Sequence, residues 1–461
     1  MGAPQNQSLR PYAPALAFSF TNCLTWMVFL GAPMILLGEW LGASAFTIGM
    51  AYAALYLALP MQVIFTATLH RYGYKRQMIF CWVARALAIV VLAAVIWAAH
   101  EESPKRWMCC VFILCAWYFC LLRAAGNSAT TPWMYAFIPP HIRGRYFAMD
   151  QTVSSTCGIL VLISVSAVFA AVSTYHAFLI CMAIALAGSI GSTACLTFWP
   201  DRPNPKPVGL KDMARRVPRL YSRKSPFRDY LIITTLFWLV ISPINPFGSY
   251  YLKTEEHLSQ SIIVLYSAFQ YAGTLLGALW IGKRLDRWGV KPFFAVSLGL
   301  YALLGIYWAM LVLEMPFIVN FAAAAYFLFG LGNAFFYSPN LKYLPQVCPR
   351  NDQPLALALN IATTGMAAGL SPMIGGFFVK HVDGTPGMMK EPFLIYLAIL
   401  VVAQFLLLAP FMRLKEVDNP EAPELPLSLG LHIRFPRYLS HILGVSVASH
   451  KLTEANPEPR D

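Results

Sequence analysis

The residues in this chain able to do chemistry are few, and they stand inside long apolar runs. Arg85 and Arg123 are the two basic residues within such runs. A cation at bilayer depth costs roughly 2.5–3.5 kcal/mol on insertion scales, so it is expected to face a cavity or a partner. Arg123 precedes Gly126-Asn127-Ser128, where the apolar pattern loosens. It is the stronger candidate for touching a solute; a bridge to the next helix is the other reading. Arg85 lies nine residues past Arg76, about 13 Å along a helix, and is expected to snorkel. No Asp, Glu or His falls at the centre of a run. Proton handling therefore has no obvious carrier, and Asp150 and Glu39, at run ends, come nearest. Ser242-Pro243-Ile-Asn245-Pro246 cannot continue a regular helix, because each proline removes an amide donor and clashes with the preceding turn.

Enzyme signatures fail on inspection. Gly277-Ala-Leu-Trp-Ile-Gly282-Lys283-Arg284 mimics a phosphate loop, but Arg284 stands where Ser or Thr must hold Mg²⁺, and the run ends an apolar helix. His-Glu-x-x-His and Gly-x-Ser-x-Gly are both missing from the sequence. The ten cysteines form no Cys-x-x-Cys pair; they read as small packing residues rather than metal ligands or disulfides. Neither a metal nor a cofactor is expected.

The elements that must position these residues follow from composition. Of 461 residues, 58% are hydrophobic and 12% charged, against about 45–50% and about 25% in a soluble domain. A bilayer span needs about 20 apolar residues. Twelve such runs occur, near 12–37, 45–69, 77–99, 107–137, 146–171, 176–199, 230–251, 261–281, 292–313, 316–337, 355–379 and 392–412. None alternates with period two, which excludes a membrane β-barrel. The expected class is an all-α integral membrane protein of twelve transmembrane helices. With the N-terminus inside, 27 Lys and Arg fall on inside segments, five outside (Lys105, Arg106, Lys253, Lys380, Lys390) and two within spans. That bias predicts both termini cytoplasmic. It also explains the net charge of +13 through topology and anionic lipid at the cytoplasmic face, without nucleic acid.

The Pro-rich basic stretch 200–229 divides six runs from six. The expected organisation is a cytoplasmic N-terminus (1–11), a first six-helix bundle (12–199), the linker (200–229), a second bundle (230–412) and a mostly disordered cytoplasmic tail (413–461). The halves echo each other. His70-Arg-Tyr-Gly-Tyr-Lys75 and Asp286-Arg-Trp-Gly-Val-Lys291 share Arg-aromatic-Gly-x-Lys on equivalent loops. Pro132-Trp-Met-Tyr-Ala-Phe-Ile-Pro139 pairs with Pro339-Asn-Leu-Lys-Tyr-Leu-Pro345. Copies on one membrane side imply a parallel repeat.

Gly282-Lys-Arg-Leu-Asp286-Arg287-Trp-Gly289-Val-Lys291 resembles the loop motif of the major facilitator superfamily. Pro140-His-Ile-Arg143-Gly144-Arg145 is similar to its entrance to the fifth helix, and Ser371-Pro372-Met-Ile-Gly375-Gly376 to an element of the eleventh. In the first copy of the loop motif Thr66 replaces the Gly and His70 the Asp. The resemblance covers about residues 12–412 and implies two pseudo-symmetric six-helix bundles working by alternating access. It implies that spans 1, 4, 7 and 10 line a central cavity flanked by 2, 5, 8 and 11. Asn22, Trp26, Arg123, Asn127, Trp238, Asn245, Gln270, Tyr271, Asn333, Tyr337 and Asn360 are then the candidate cavity residues. Each must find a partner in another helix or in a solute, and as a set they suit a neutral or zwitterionic polar solute. Pro243 and Pro246 mark the helix break most suited to a gate or site. Arg71, Gly73, Lys75, Arg143, Arg145, Asp150, Asp286, Arg287, Gly289 and Lys291 form the candidate cytoplasmic gate. Gly73 and Gly289 supply positive-φ turns, and Asp286 with Arg287 is expected to latch against the start of the fifth helix.

The implied function is a secondary active or facilitative transporter of a small polar solute, expected as a monomer in the cell (inner or plasma) membrane, with coupling to H⁺ or Na⁺ left open. The alternatives are a multidrug or metabolite efflux antiporter of the same fold, or a non-transporting receptor. The exporter element Gly-x-x-x-Gly-Pro-x-x-Gly-Gly is missing from span five (Asp150–Gly158), which leans toward uptake or facilitation.

Overall fold

The structure is a computed structural model that describes residues 9–43, 45–102, 105–204, 210–258, 260–380 and 390–415. Among them the regular elements are all helical. The first half holds α1 (Ala13–Phe29), α2 (Ala32–Trp40), α3 (Ala45–Leu57), α4 (Met61–Phe65), α5 (Leu69–Glu102), α6 (Arg106–Phe137), α7 (Arg143–Ala171) and α8 (Thr174–Thr197). The linker forms α9 (Leu210–Ser222). The second half holds α10 (Pro226–Ile241), α11 (Ile244–Thr254), α12 (Gln260–Trp288), α13 (Lys291–Val312), α14 (Ala322–Val347), α15 (Gln353–Lys380) and α16 (Lys390–Met412).

Ten described helical segments are long and apolar enough to cross a membrane. The two further expected crossings correspond to α3 with α4, broken around Pro60, and to α12. The expected tail from 416 onward lies outside the described residues. Large apolar side chains such as Phe80, Leu114, Ile190, Phe198 and Leu406 are exposed on the outer faces, where lipid is the natural solvent. Polar backbone groups are meanwhile satisfied within each helix.

Within the first half α1 packs on α7 and α8, α5 on α6 and α8, and α3 on α6. Within the second, α14 packs on α12 and α13, α13 on α16, and α10 on α15 and α16. The halves meet where α7 lies against α12 and α14, and where α15 lies against α3, α4 and α6. These pairs join the fifth expected crossing to the eighth and the second to the eleventh, as a parallel repeat requires. Loops bearing Arg71, Arg143, Arg287 and Arg350 share one end of the bundle, here termed the basic face.

Local sequence explains the punctuation. Gly73 (φ 74°) and Gly289 (φ 76°) take the left-handed conformation in their respective copies of the repeated loop, as expected for residues without a Cβ. The Ser225 side chain accepts the Arg228 amide at 3.1 Å and starts α10.

Candidate functional site

At the basic face the second half reaches into the first through Asp286. Its Oδ1 accepts the Gly144 amide at 2.8 Å and its Oδ2 the Arg145 amide at 2.7 Å. Both amides belong to the first turn of α7, whose donors have no partner within the helix. A carboxylate there is also favoured by the helix dipole. A Cβ on Gly144 would stand 2.5 Å from Asp286 Oδ1, so only glycine allows this approach. Lys342, 3% exposed, places Nζ 3.4 Å from Asp286 Oδ1 and donates to the Leu285 carbonyl at 2.8 Å. Burial raises the Asp286 carboxyl above the ordinary carboxylate range, and Lys342 and the two amides pull it only partly back.

Two more bonds cross between the halves nearby. The Tyr135 hydroxyl donates to the Leu341 carbonyl at 2.8 Å, and the Ser338 hydroxyl to Gln151 Oε1 at 2.7 Å. Asp286 thus meets the start of the fifth expected crossing through the backbone amides of Gly144 and Arg145. Arg143 turns back to cap α6, donating to the Ile138 and Tyr135 carbonyls at 3.1 and 2.9 Å. Arg287 is exposed and Lys291 half-buried at the start of α13. Arg71 is exposed beside its own neighbour Tyr72. Lys75 caps α8, donating to the Thr197 and Trp199 carbonyls at 2.7 and 2.9 Å. Asp150 departs from the gate grouping: it accepts a hydrogen bond from Ser19 of α1, deeper in the first half.

The other copy of the loop is built differently. His70 bonds the Ala67 carbonyl at 2.7 Å, and Asn204 from the linker reaches the His70 carbonyl at 3.2 Å. The α9 helix then ties the linker to α15 and the turn before it, through Tyr221 on Thr363 and Arg216 on Asp352. Where His70 replaces the acid, the linker makes the connection.

Above the gate, the candidate cavity residues separate into two kinds. Some are spent on helix–helix bonds. Asn245 donates to Gln270 at 3.0 Å, and Asn22 accepts from Arg85 at 2.6 Å. The Tyr271 hydroxyl meets Met27 sulfur at 3.4 Å across the halves. Asn360 corrects the cavity expectation: it is buried and faces Thr234 of α10 at 3.4 Å. Trp238 packs edge-on against Phe237 and Phe336. Trp26 is half-buried. The other kind keeps its polar capacity. Among the described residues the side chains of Arg123, Asn127 and Asn333 are half-buried and make no hydrogen bond or ion pair. Tyr337 is 41% exposed, although α14 is packed on its neighbours, so it opens into the space between the halves. It lies within electrostatic reach of both Arg123 and Asp150.

Arg85 also differs from expectation. It is 1% exposed rather than snorkelled, because Trp82 and Phe119 rings stand 3.9 and 5.2 Å from its guanidinium carbon and Asn22 holds its Nη2. Pro243 falls between α10 and α11, with Pro246 in the first turn of α11. The sequence reading missed its counterpart, the break at Leu30-Gly31 between α1 and α2, for which Gly31-Ala-Pro33 was the signal. Lys342 was missed as well, although it occupies the same register after Pro339 as Tyr135 after Pro132.

A family model described as Major Facilitator Superfamily matches residues 15–269 and 230–449. An uncharacterized transporter of Schizosaccharomyces pombe is 23% identical over 236 residues, or 50% of this chain and 43% of that relative. The match thus spans less than half the relative's length. Among solved structures, an outward-facing bacterial homologue of the iron transporter ferroportin has a TM-score of 0.69 at 15% identity, covering 88% of this chain and 99% of the other. The proton:xylose symporter XylE has a TM-score of 0.63 at 14% identity, covering 85% and 93%. A mutant of the nucleoside transporter NupG has a TM-score of 0.59 at 17% identity, covering 87% and 100%. At these identities the likeness shows the fold, and the cargoes named differ among the three.

Proposed function

The chain belongs to the Major Facilitator Superfamily, and from that membership we propose that it carries a small polar solute across a membrane by alternating access. The bodies 12–199 and 230–412 rock about the solute while 200–229 links them. The observation that supports this reading is a contrast between two levels of the bundle. Asp286, Tyr135 and Ser338 tie the halves together at the basic face, while Arg123, Asn127, Asn333 and Tyr337 above them keep polar groups available. A gate closed below a polar cavity is one end state of such a cycle. The paired breaks at 30–31 and 242–243 give each half a discontinuous helix of the kind transporters use at their binding centre.

In this reading the basic face is cytoplasmic, both termini lie there, and the host is the plasma or inner membrane. The basic loops contact anionic lipid, and the working unit is a monomer. Asp150, held by Ser19 beside Tyr337, is the group suited to take a coupling proton. The test is uptake into liposomes bearing the purified protein, with sugars, amino acids, nucleosides and organic acids as solutes. Asn333→Ala should weaken transport of the solute that the native protein moves. If no solute enters faster than into protein-free liposomes, the reading fails. Uptake unchanged by a pH gradient would remove the coupling role of Asp150.

A further inference from the structure

Two arginines share the interior of the first half. Arg85 on α5 and Arg123 on α6 lie within electrostatic reach of each other. Among the described residues neither makes an ion pair. Arg85 is almost wholly buried, its one side-chain hydrogen bond goes to the neutral amide of Asn22, and its Nε has no acceptor. Like charges within reach of each other repel where water is scarce, and buried charges are ordinarily paired. Aromatic faces on Arg85 soften that cost without supplying negative charge.

The surroundings of Arg123 complete the description. Tyr56 of α3 and Tyr337 of α14 both lie within reach of its charge, and each is exposed to open space, at 36% and 41%. Tyr337 comes from the opposite half, so Arg123 faces the space between them. Asn127 stands one turn further along the same helix, on the same face. A planar guanidinium with five donors matches a carboxylate in fork geometry, and a hydroxyl and an amide are at hand for a neutral polar part. Counting Asp150 as ionised, the interior groups Arg85, Arg123 and Asp150 leave one positive charge in excess.

We infer that the solute is a small organic carboxylate carrying one negative charge, received by Arg123 between Tyr56, Asn127 and Tyr337, with Arg85 behind it holding the site positive. This departs from the expectation of a neutral or zwitterionic solute, and it rests on the transporter reading for the statement that the anion is moved.

The test uses the purified full-length protein, first by thermal stabilisation in detergent and then by liposome uptake. Lactate, benzoate, succinate and inorganic phosphate are compared with xylose, uridine and choline. A monocarboxylate is expected to stabilise the native protein saturably and the three non-anions to have no effect. Arg123→Gln should weaken that half-saturation at least tenfold, and Arg123→Lys should weaken it less, because charge remains while the fork is lost. Stabilisation by xylose or uridine that persists unchanged in Arg123→Gln overturns the inference and leaves the transporter reading standing. Stabilisation by phosphate alone, or by none of the anions, also overturns it. Arg123-dependent binding of a monocarboxylate that liposomes do not take up keeps the inference and overturns the transporter reading.

Discussion

Oδ1 of Asp286 accepts the amide of Gly144 at 2.8 Å, so a loop of the second half caps a helix of the first. The bond is directional and joins a charge to a helix N-terminus, where both the orphan donors and the dipole favour it. It also depends on the bodies being close, since Gly144 leaves no room for any side chain between them. Closure at the basic face is thereby written into one carboxylate and one missing methyl group.

Asp286→Ala should open this face. It removes the acceptor of two amides and the partner of Lys342, and charge-assisted hydrogen bonds contribute about 1.5–3 kcal/mol each. Hydrogen–deuterium exchange of the segment 143–150 is expected to accelerate tenfold or more while the far end of α7 is unchanged. Equal exchange in the variant would mean that packing alone holds the face shut.

The sequence carried this gate only in part. Gly73 and Gly289 were legible because a positive φ demands glycine and the repeat printed the demand twice. Asp286 was legible as an acid among bases, but its partners are backbone amides, which no residue type announces. Lys342 hid because a basic residue just beyond an apolar run reads as a topology signal. Asn360 and Thr234 bond across a helix pair, and an amide in an apolar run looks the same whether it faces a helix or a cavity. The break at Gly31 lay inside an apolar run that hydropathy alone reads as continuous.

Lys342→Met tests the pair from the other side. Removing one partner of a buried ion pair typically costs about 3–5 kcal/mol; partial exposure of Asp286, 17% at its side chain, puts the expected loss at the lower end. Asp286→Asn added to Lys342→Met should restore part of that loss, because the stranded carboxylate is gone. Chemical denaturation of the four proteins in the cycle gives the coupling. Additive losses would show that the two groups do not interact.

Acidity should act on the same gate. Burial raises the Asp286 carboxyl, whereas in an opened arrangement it would face water and titrate in the ordinary carboxylate range. The closed form then holds the proton more tightly, so linkage favours closure. That preference is fully present below the ordinary carboxylate value and is lost as pH rises through the raised one. Exchange of segment 143–150, corrected for its intrinsic pH dependence, should be slowest on the acid side of this window. Asp286→Asn keeps one of the two acceptors and cannot titrate, so it should flatten the response. A response that survives in Asp286→Asn would assign it to another group.

Arg85→Met separates stability from recognition. A buried cation with an acid partner is strongly destabilising to break, but Arg85 has a neutral amide and two rings. Its loss forfeits about 0.5–2 kcal/mol of cation–π attraction per ring and leaves the Asn22 oxygen without a donor. It also relieves a desolvated charge and the repulsion of Arg123, and a packed apolar replacement of a buried charge is often neutral or stabilising. The two sides are of similar size, so the melting temperature is expected to stay within a few degrees of the native protein. The affinity for a monocarboxylate should nevertheless fall severalfold, because the field around Arg123 is weakened. A large fall in melting temperature would make Arg85 a structural post. Unchanged affinity would remove it from the site and leave Arg123 to act alone.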